Sequence, residues 1–564
     1  MHSREFRTVS ICRRDGHNPH VRPDRRKRRS ILLGMYQSSE QRILDLRFNG
    51  ARGLLRQSRK GLEKESLRVT ADGTISRQPH PRALGSALTH PWITTDYSEA
   101  LLEFITPPFT ATEQTLDFLA EVHRFVYHNL DDELLWATSM PCIVGGDASI
   151  PIADYGRSNV GWMKHVYRRG LDWRYGRAMQ AISGIHFNYS FGDEFLQALQ
   201  AADRSTTDFI AFRSDAYFGL IRNFQRYGWI IPFLFGASPA VCKSFTGGQD
   251  CHFREFDEAT FYEPHGTSLR MSDIGYKNKA QAGLSVSYND LDSYVSSLSR
   301  AISTPDPEYE RIGTRVDGEW RQLNTNILQI ENEYYGFVRP KAVAHSGEKP
   351  TLALRRAGVE YVEIRALDLN PFVPVGVDAR TLRFLEILLL FCLLQRSPPI
   401  DPRELGRINC NQGLVARQGR DPDLRLYRAD GRKVPLRHWA EELMQALAGP
   451  AELLDQLRDG TPYADALRAS HAMVRDPELT PSARVLAEMR DREENFIEFA
   501  MRVSTGHQRH FLGQPLDPEL RERFETIARQ SIDEQGAIEA ADDIPFEEYL
   551  DRYFTQDQVR QTEG

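Results

Sequence analysis

The stretch Gly61–Val69, GLEKESLRV, sets two glutamates two residues apart in a segment of strand-like composition. In a strand, residues i and i+2 face the same way, so Glu63 and Glu65 would stand side by side. Two carboxylates that share a site repel, and one takes a raised pKa unless a cation neutralises the pair. Lys64 and Arg68 would point to the other face. The local pattern leaves two readings open: a solvated or ion-paired strand face, or a metal site.

Other segments repeat the trait. Asp96 precedes a strand in TTDYSEALLEF, where Glu99 and Glu103 flank Leu101. In SGIHFNYSF, Ile185, Phe187 and Tyr189 share one face, and His186, Asn188 and Ser190 share the other. In VEYVEIRAL, Tyr361, Glu363 and Arg365 line one side against Val362, Ile364 and Ala366. A half-buried sheet ordinarily turns Thr, Lys and mixed charges to water. An unpaired buried carboxylate costs several kcal/mol, so acids gathered on several strands are buried together only around cations. Many oxygen ligands with one imidazole suit Mg²⁺ or Mn²⁺ over zinc, and Mg²⁺ shares its shell with substrate phosphates. A nucleotide is therefore expected. There is no GxxxxGK[ST], no GxGxxG after a strand, no HExxH and no GxSxG. ATP would have to be held by metals and cationic side chains on a sheet. Arg365, Arg270 in GTSLRMSDIGY, and the basic aromatic segment Trp162–Arg177 offer those cations. The last reads equally well as a solvated helix face.

The elements that must carry these residues alternate between strand-like and helical from about residue 40 to 375. Glu99–Pro107, Ser183–Phe191, Ile327–Pro340 and Gly358–Pro371 read as strands. Thr115–Leu130 and DFIAFRSDAYFGLIRNFQRYG have helical spacing. ILLLFCLL, Ile387–Leu394, is too short to span a bilayer, which takes about 20 apolar residues, and reads as part of a buried helix. Without βαβ regularity, the expected class is α+β with a mainly antiparallel sheet. Three parts are expected: a basic disordered extension over 1–38, a catalytic α+β domain over 39–380, and a mostly helical part over 381–564 packed on it. For the extension the alternatives are translation upstream of a true start at Met35, a tail without function, and targeting or binding.

The 564 residues and 41% hydrophobic content suit a soluble globular protein with a large core. The net charge of −7 is uneven: residues 1–34 carry ten Lys/Arg against three Asp/Glu, which leaves −14 on the remainder. An acidic body argues against nucleic acid as the main partner. The six cysteines, none in a CxxC pair, are too sparse for a disulfide scaffold and fit a reducing cytoplasm.

Taken together, RKGLEKESLRV, ALGSALTHPWITTDYSEALLEFITP, SMPC, ISGIHFNYS, WIIPFLFGASPAVC, SLRMSDIGY, LQIENEYYGFVRPK and GVEYVEIRALDLNPF resemble the proteobacterial type of glutamate–cysteine ligase (γ-glutamylcysteine synthetase). The likeness is strong from about residue 45 to 380 and weaker beyond. It implies a glutamine-synthetase-like fold with a curved antiparallel sheet. It also implies ATP-dependent joining of the glutamate γ-carboxyl to the cysteine amine through a γ-glutamyl phosphate, the first step of glutathione synthesis. Carried over by position, Glu63, Glu65, Asp96, Glu103, His186 and Glu363 resemble Mg²⁺ ligands, and Arg365 the phosphate-contacting arginine. Arg168, with Tyr167 and Leu171, falls on a segment that closes over the substrates. Tyr97, Tyr276 and Tyr335 match positions near the cysteine site, and Arg270 a substrate-contacting arginine. Tyr97 stands where some members have Phe, and Lys64 where some have Arg. A cytoplasmic monomer without nucleic-acid or membrane partners is expected, and feedback by glutathione is a common trait of the family. Left open by the residues themselves are a ligase for another amine, a metal-dependent hydrolase and a binding protein.

Overall fold

The alternation read around Glu63 builds an 11-residue strand, β1 (Arg59–Val69). The computed structural model describes residues 36, 38–45, 51–247, 252–275 and 284–562, with the side chains of 51–52 and 557–562 left aside. Most of the expected basic extension and Tyr276 lie outside the described residues.

Six further strands join β1 in the main sheet: β2 (Ile93–Thr95), β3 (Leu101–Ile105), β4 (Leu134–Leu135), β5 (Ile185–Ser190), β6 (Val338–Lys341) and β7 (Tyr361–Leu367). Their order is β6-β7-β5-β1-β3-β2, with β4 pairing the end of β1, and every pairing is antiparallel. The register sets Glu63 opposite His186, Glu65 opposite Glu103, and Glu363 opposite Asn188. Directly opposed residues lie on the same face of a sheet, so three strands bring their carboxylates to one surface. Two short hairpins and a three-stranded sheet lie outside it.

The other face is covered by helices. The helix α1 (Thr112–Tyr127) packs behind β1, α2 (Asn159–Tyr175) lies off this layer, and α3 (Phe209–Tyr227) packs behind β6 and β7. The apolar run of Ile387–Leu394 belongs to α4 (Ala379–Leu394), buried along its last three turns. An all-round apolar helix has to be enclosed. It is enclosed by α1, α3, α5 (Leu436–Asp455) and α6 (Pro462–Arg475). Leu62 and Ile364 of the sheet and Leu388, Leu443 and Leu453 of the helices share one core. A last helix, α7 (Phe546–Thr562), lies on α2.

Two expectations are corrected. Ile327–Gly336 is not a strand: only 338–341 pairs, after a single helical turn at Glu331–Glu333. The reason is local. The Gln329 side chain accepts from Leu323 N and the Glu333 carboxylate accepts from Gln329 N, so side chains satisfy the backbone in place of a neighbouring strand. Tyr36 and Ser38, assigned to the extension, lie in helical turns; Tyr36 is buried in the main core with its ring against Tyr227 and Phe391.

Candidate active site

The carboxylates gather on the open face of the sheet in two groups. In the first, one ligand atom each of Glu63, His186 and Glu363 lies within 4.8 Å of the others. His186 Nδ1 is 3.0 Å from Glu63 Oε2 and 3.8 Å from Glu363 Oε1. Asn188 Nδ2 donates to Glu63 Oε1 at 2.7 Å. In the second, Glu65 and Glu103 face each other across β1 and β3, with Asp96 near enough to raise both their pKa values. His186 joins the groups, its Nε2 3.9 Å from Glu65 Oε1.

The electrostatics differ between the groups. Burial pushes Glu65 up to about 8, and Asp96 adds to the rise. Burial also lifts Glu103 well above the carboxylate range, helped by Glu63, Asp96 and Glu65. Burial opposes ionisation of Glu363 too, but Lys341, Arg365 and Arg339 hold it well below the usual range. Their nitrogens stand 3.6, 3.3 and 3.8 Å from its carboxylate. Glu63 is lowered despite burial, because His186 hydrogen-bonds it. His186 is itself kept neutral by burial and by Arg365, and its buried Nε2 makes no hydrogen bond among the described residues. A neutral imidazole with an unused nitrogen among four glutamates and an aspartate is a donor set for hard divalent cations. The residues present therefore fit Mg²⁺ or Mn²⁺.

Arg270 reaches the same end of the sheet from a buried turn. Its Nη2 donates to the Arg365 carbonyl at 3.1 Å, and Nη1 is 3.8 Å from Asp368. It passes over Gly184, where a Cβ would fall 2.0 Å from Nη2. The Gly184 N–H meanwhile donates to Glu65 Oε2 at 2.5 Å. Only glycine leaves room for the guanidinium there.

The walls come from α2 and the loop before β6. Tyr97 and Leu171 are buried in one apolar cluster, with Tyr167 against it. The Tyr97 hydroxyl is buried without a hydrogen bond among the described residues. Tyr335 Oη donates to Gln180 Oε1 at 3.1 Å. Arg168 does not reach the carboxylates with a salt bridge: its Nε donates to the Asp96 carbonyl at 2.5 Å, and the guanidinium stacks 4.6 Å over Tyr155. In this arrangement it braces Asp96.

Comparison with known proteins decides the family. The sequence model described as glutamate-cysteine ligase matches residues 43–415. A glutamate–cysteine ligase of Alcanivorax borkumensis is 50% identical over 521 residues, covering 91% of this chain and 99% of the relative. The chain belongs to the glutamate–cysteine ligase family. A crystal structure of the Francisella tularensis glutamate–cysteine ligase in complex with AMP superposes with a TM-score of 0.84 at 35% identity, over 89% of this chain and 98% of that one. The bifunctional glutathione synthetase of Pasteurella multocida shares the fold, with a TM-score of 0.67 at 24% identity over 85% of this chain and 57% of that one. Among the described residues, no helix of this family member is long and apolar enough to cross a membrane.

Arg339 and Lys341 were not singled out from the sequence. They sit in the quoted motif LQIENEYYGFVRPK, two residues apart, and the pairing of Arg339 with Glu363 carries them to the site. The i, i+2 spacing that exposed Glu63 and Glu65 was the available signal.

Proposed function

We propose a division of labour on this sheet for the reaction of the family, the ATP-dependent joining of glutamate and cysteine to γ-glutamylcysteine in the first step of glutathione synthesis. Glu63, His186 and Glu363 would hold one divalent cation, and Glu65, Glu103 and Asp96 another. Bound Mg²⁺ supplies charge neutralisation for the ATP phosphates and polarises the oxygens of the transferring group. The observation that carries this reading is geometric: ligand atoms of Glu63, His186 and Glu363 lie within 4.8 Å of one another, and Glu65 and Glu103 face each other on the same surface of the sheet.

The chain's own groups do the rest. A carboxylate acylates an amine poorly, because oxide would have to leave. Transfer of the ATP γ-phosphoryl to the glutamate γ-carboxyl gives γ-glutamyl phosphate, whose leaving group is phosphate. Arg365, beside Glu363 and partly open to the site, is placed to neutralise phosphoryl oxygens as charge moves toward ADP. Arg270 supplies a second fixed cation for a substrate carboxylate. Tyr97, Tyr167, Leu171 and Tyr335 form the wall of the cysteine pocket and keep water from the acyl phosphate. The kinship with glutamine synthetase, the cytoplasmic location, the monomeric state and feedback by glutathione belong to the same proposal. The test is coupled ADP release in Mg²⁺ with glutamate, with and without cysteine. Fast release only with both amino acids is expected; equal release without cysteine contradicts the ligase reading.

A further inference from the structure

The motif LQIENEYYGFVRPK brings Tyr335, Arg339 and Lys341 to the site, yet its acidic middle touches no substrate group named above. Glu333 has another use. Its side chain and that of Arg174 are both fully buried and lie 3.1 Å apart. Glu333 Oε1 also accepts from Tyr175 Oη at 2.6 Å, and Oε2 accepts from Gln329 N at 2.6 Å. Arg174 donates further to Gln322 Oε1 at 2.9 Å and to the Asn324 carbonyl at 2.8 Å, and stacks 4.1 Å over Tyr309. Gln329 Nε2 in turn donates to the Tyr167 carbonyl at 3.2 Å. The surfaces meet at Gly170, where a Cβ would fall 2.1 Å from Gln329 Oε1.

These contacts join two segments that each carry part of the proposed cysteine pocket. Arg174 and Tyr175 end the helix that holds Tyr167, Arg168 and Leu171, and Glu333 lies two residues before Tyr335. The other end of that helix is also tied down: Asn159 Nδ2 donates to the Ile544 carbonyl at 3.0 Å, and Met163 and Val166 pack with Leu550 of α7. A buried ion pair is a poor source of net stability, but removing one partner leaves an uncompensated buried charge, so the pair keeps the two segments together. The planar guanidinium has donors committed to several loop acceptors at once, so a small shift of α2 breaks several contacts together.

We infer that Arg174 and Glu333, with Gln329 linking Glu333 to the Tyr167 carbonyl, are positioning residues for the amine-substrate half of the site, holding α2 and the Tyr335 loop as a preformed wall. The inference rests on the proposed function. Loosening the wall misplaces the attacking amine and admits water, so γ-glutamyl phosphate is hydrolysed to glutamate and phosphate, and ADP is released without peptide formation.

The test compares wild type with Glu333→Gln and Tyr175→Phe. KM for cysteine, glutamate and ATP is measured, with the ratio of ADP to γ-glutamylcysteine formed and the Tm. Tyr175→Phe removes one hydroxyl and carries the same readout should Glu333→Gln fold poorly. A rise of about 10-fold or more in KM for cysteine is expected for Glu333→Gln, with an ADP-to-product ratio above that of wild type. KM for ATP should stay near wild type, and Tyr175→Phe should move the same way by less. Unchanged cysteine KM and coupling in both variants, or equal losses toward all three substrates that follow Tm, overturn the inference. Wild type without cysteine-dependent turnover would instead sink the ligase reading, so the two failures are distinguishable.

Discussion

The two faces of β1 bury charge in opposite ways. On the helix side, Lys60 Nζ lies 2.6 Å from Glu386 Oε2, and the remaining capacity of Glu386 is met by Thr112 and Tyr463. Lys64 beside it donates to Ser66 Oγ at 2.7 Å and lies 2.9 Å from His123 Nε2. Lys60 is thus neutralised by a carboxylate, whereas Lys64 has only uncharged hydrogen-bond partners and burial lowers it to about 7. On the open side, Glu65 and Glu103 face each other, and burial drives both toward protonation. One strand thus shows what separates a structural charge from a ligand-binding one. The Lys60–Glu386 pair is neutralised within the chain, whereas Glu65 and Glu103 face like charges, Asp96 among them, that a cation from outside would relieve.

The comparison can be broken most severely at the cations of the open side. Arg365→Lys keeps the charge but loses the planar fork, so turnover should fall by about 10²- to 10³-fold with a smaller change in glutamate KM. Steady-state kinetics check this, and wild-type turnover would remove Arg365 from the mechanism. The helix side should respond in stability instead. Lys60→Met leaves Glu386 buried without its cation, at a cost of about 3–5 kcal/mol, whereas Lys60→Met with Glu386→Leu should recover much of it. Denaturant unfolding measures both, and the Mg²⁺ requirement of the folded double variant should stay near wild type.

Glu103→Gln removes one anionic group at nearly constant size. The fold should persist while the Mg²⁺ needed for half-maximal activity rises by about 10-fold. Unchanged activity at limiting metal would count against that assignment. The smallest effect is a proton competition. A carboxyl whose folded pKa is raised favours the metal-free fold most below its unfolded value, and that contribution is lost as pH rises through the folded pKa. Glu65, pushed up to about 8 by burial, holds its proton more tightly in the metal-free protein than a free carboxylate does. A cation must displace it, so Mg²⁺ affinity should increase from pH 6 toward pH 8 and level off above. The slope should be shallower in Glu65→Gln.

The open face was legible because a two-residue period marks a strand face from sequence alone: Glu63 and Glu65, His186 and Asn188, Glu363 and Arg365 each announce themselves. The cross-strand register that sets Glu63 against His186 is a long-range fact that no local spacing carries; the resemblance to a family supplied the set of ligands but not their pairing. The segment before β6 was misread because Ile327–Gly336 has strand-like composition while its own Gln and Glu side chains take the backbone partners a strand would use. Arg174 illustrates the same limit. In the sequence it is one of five Lys/Arg in the segment Trp162–Arg177, which reads equally well as a solvated face, and only tertiary packing shows that it is buried.

The central claim, that the buried carboxylates of the open face hold divalent cations, is tested most directly by Mn²⁺ binding followed by electron paramagnetic resonance. Wild type would be compared with Glu65→Gln, Glu363→Gln and the Lys60→Met, Glu386→Leu double variant, each in the presence of a non-hydrolysable ATP analogue. The expected result is tight Mn²⁺ binding by wild type and the double variant, and weakening of about 10-fold or more in each single glutamate variant. Equal Mn²⁺ affinity in all four proteins would contradict it.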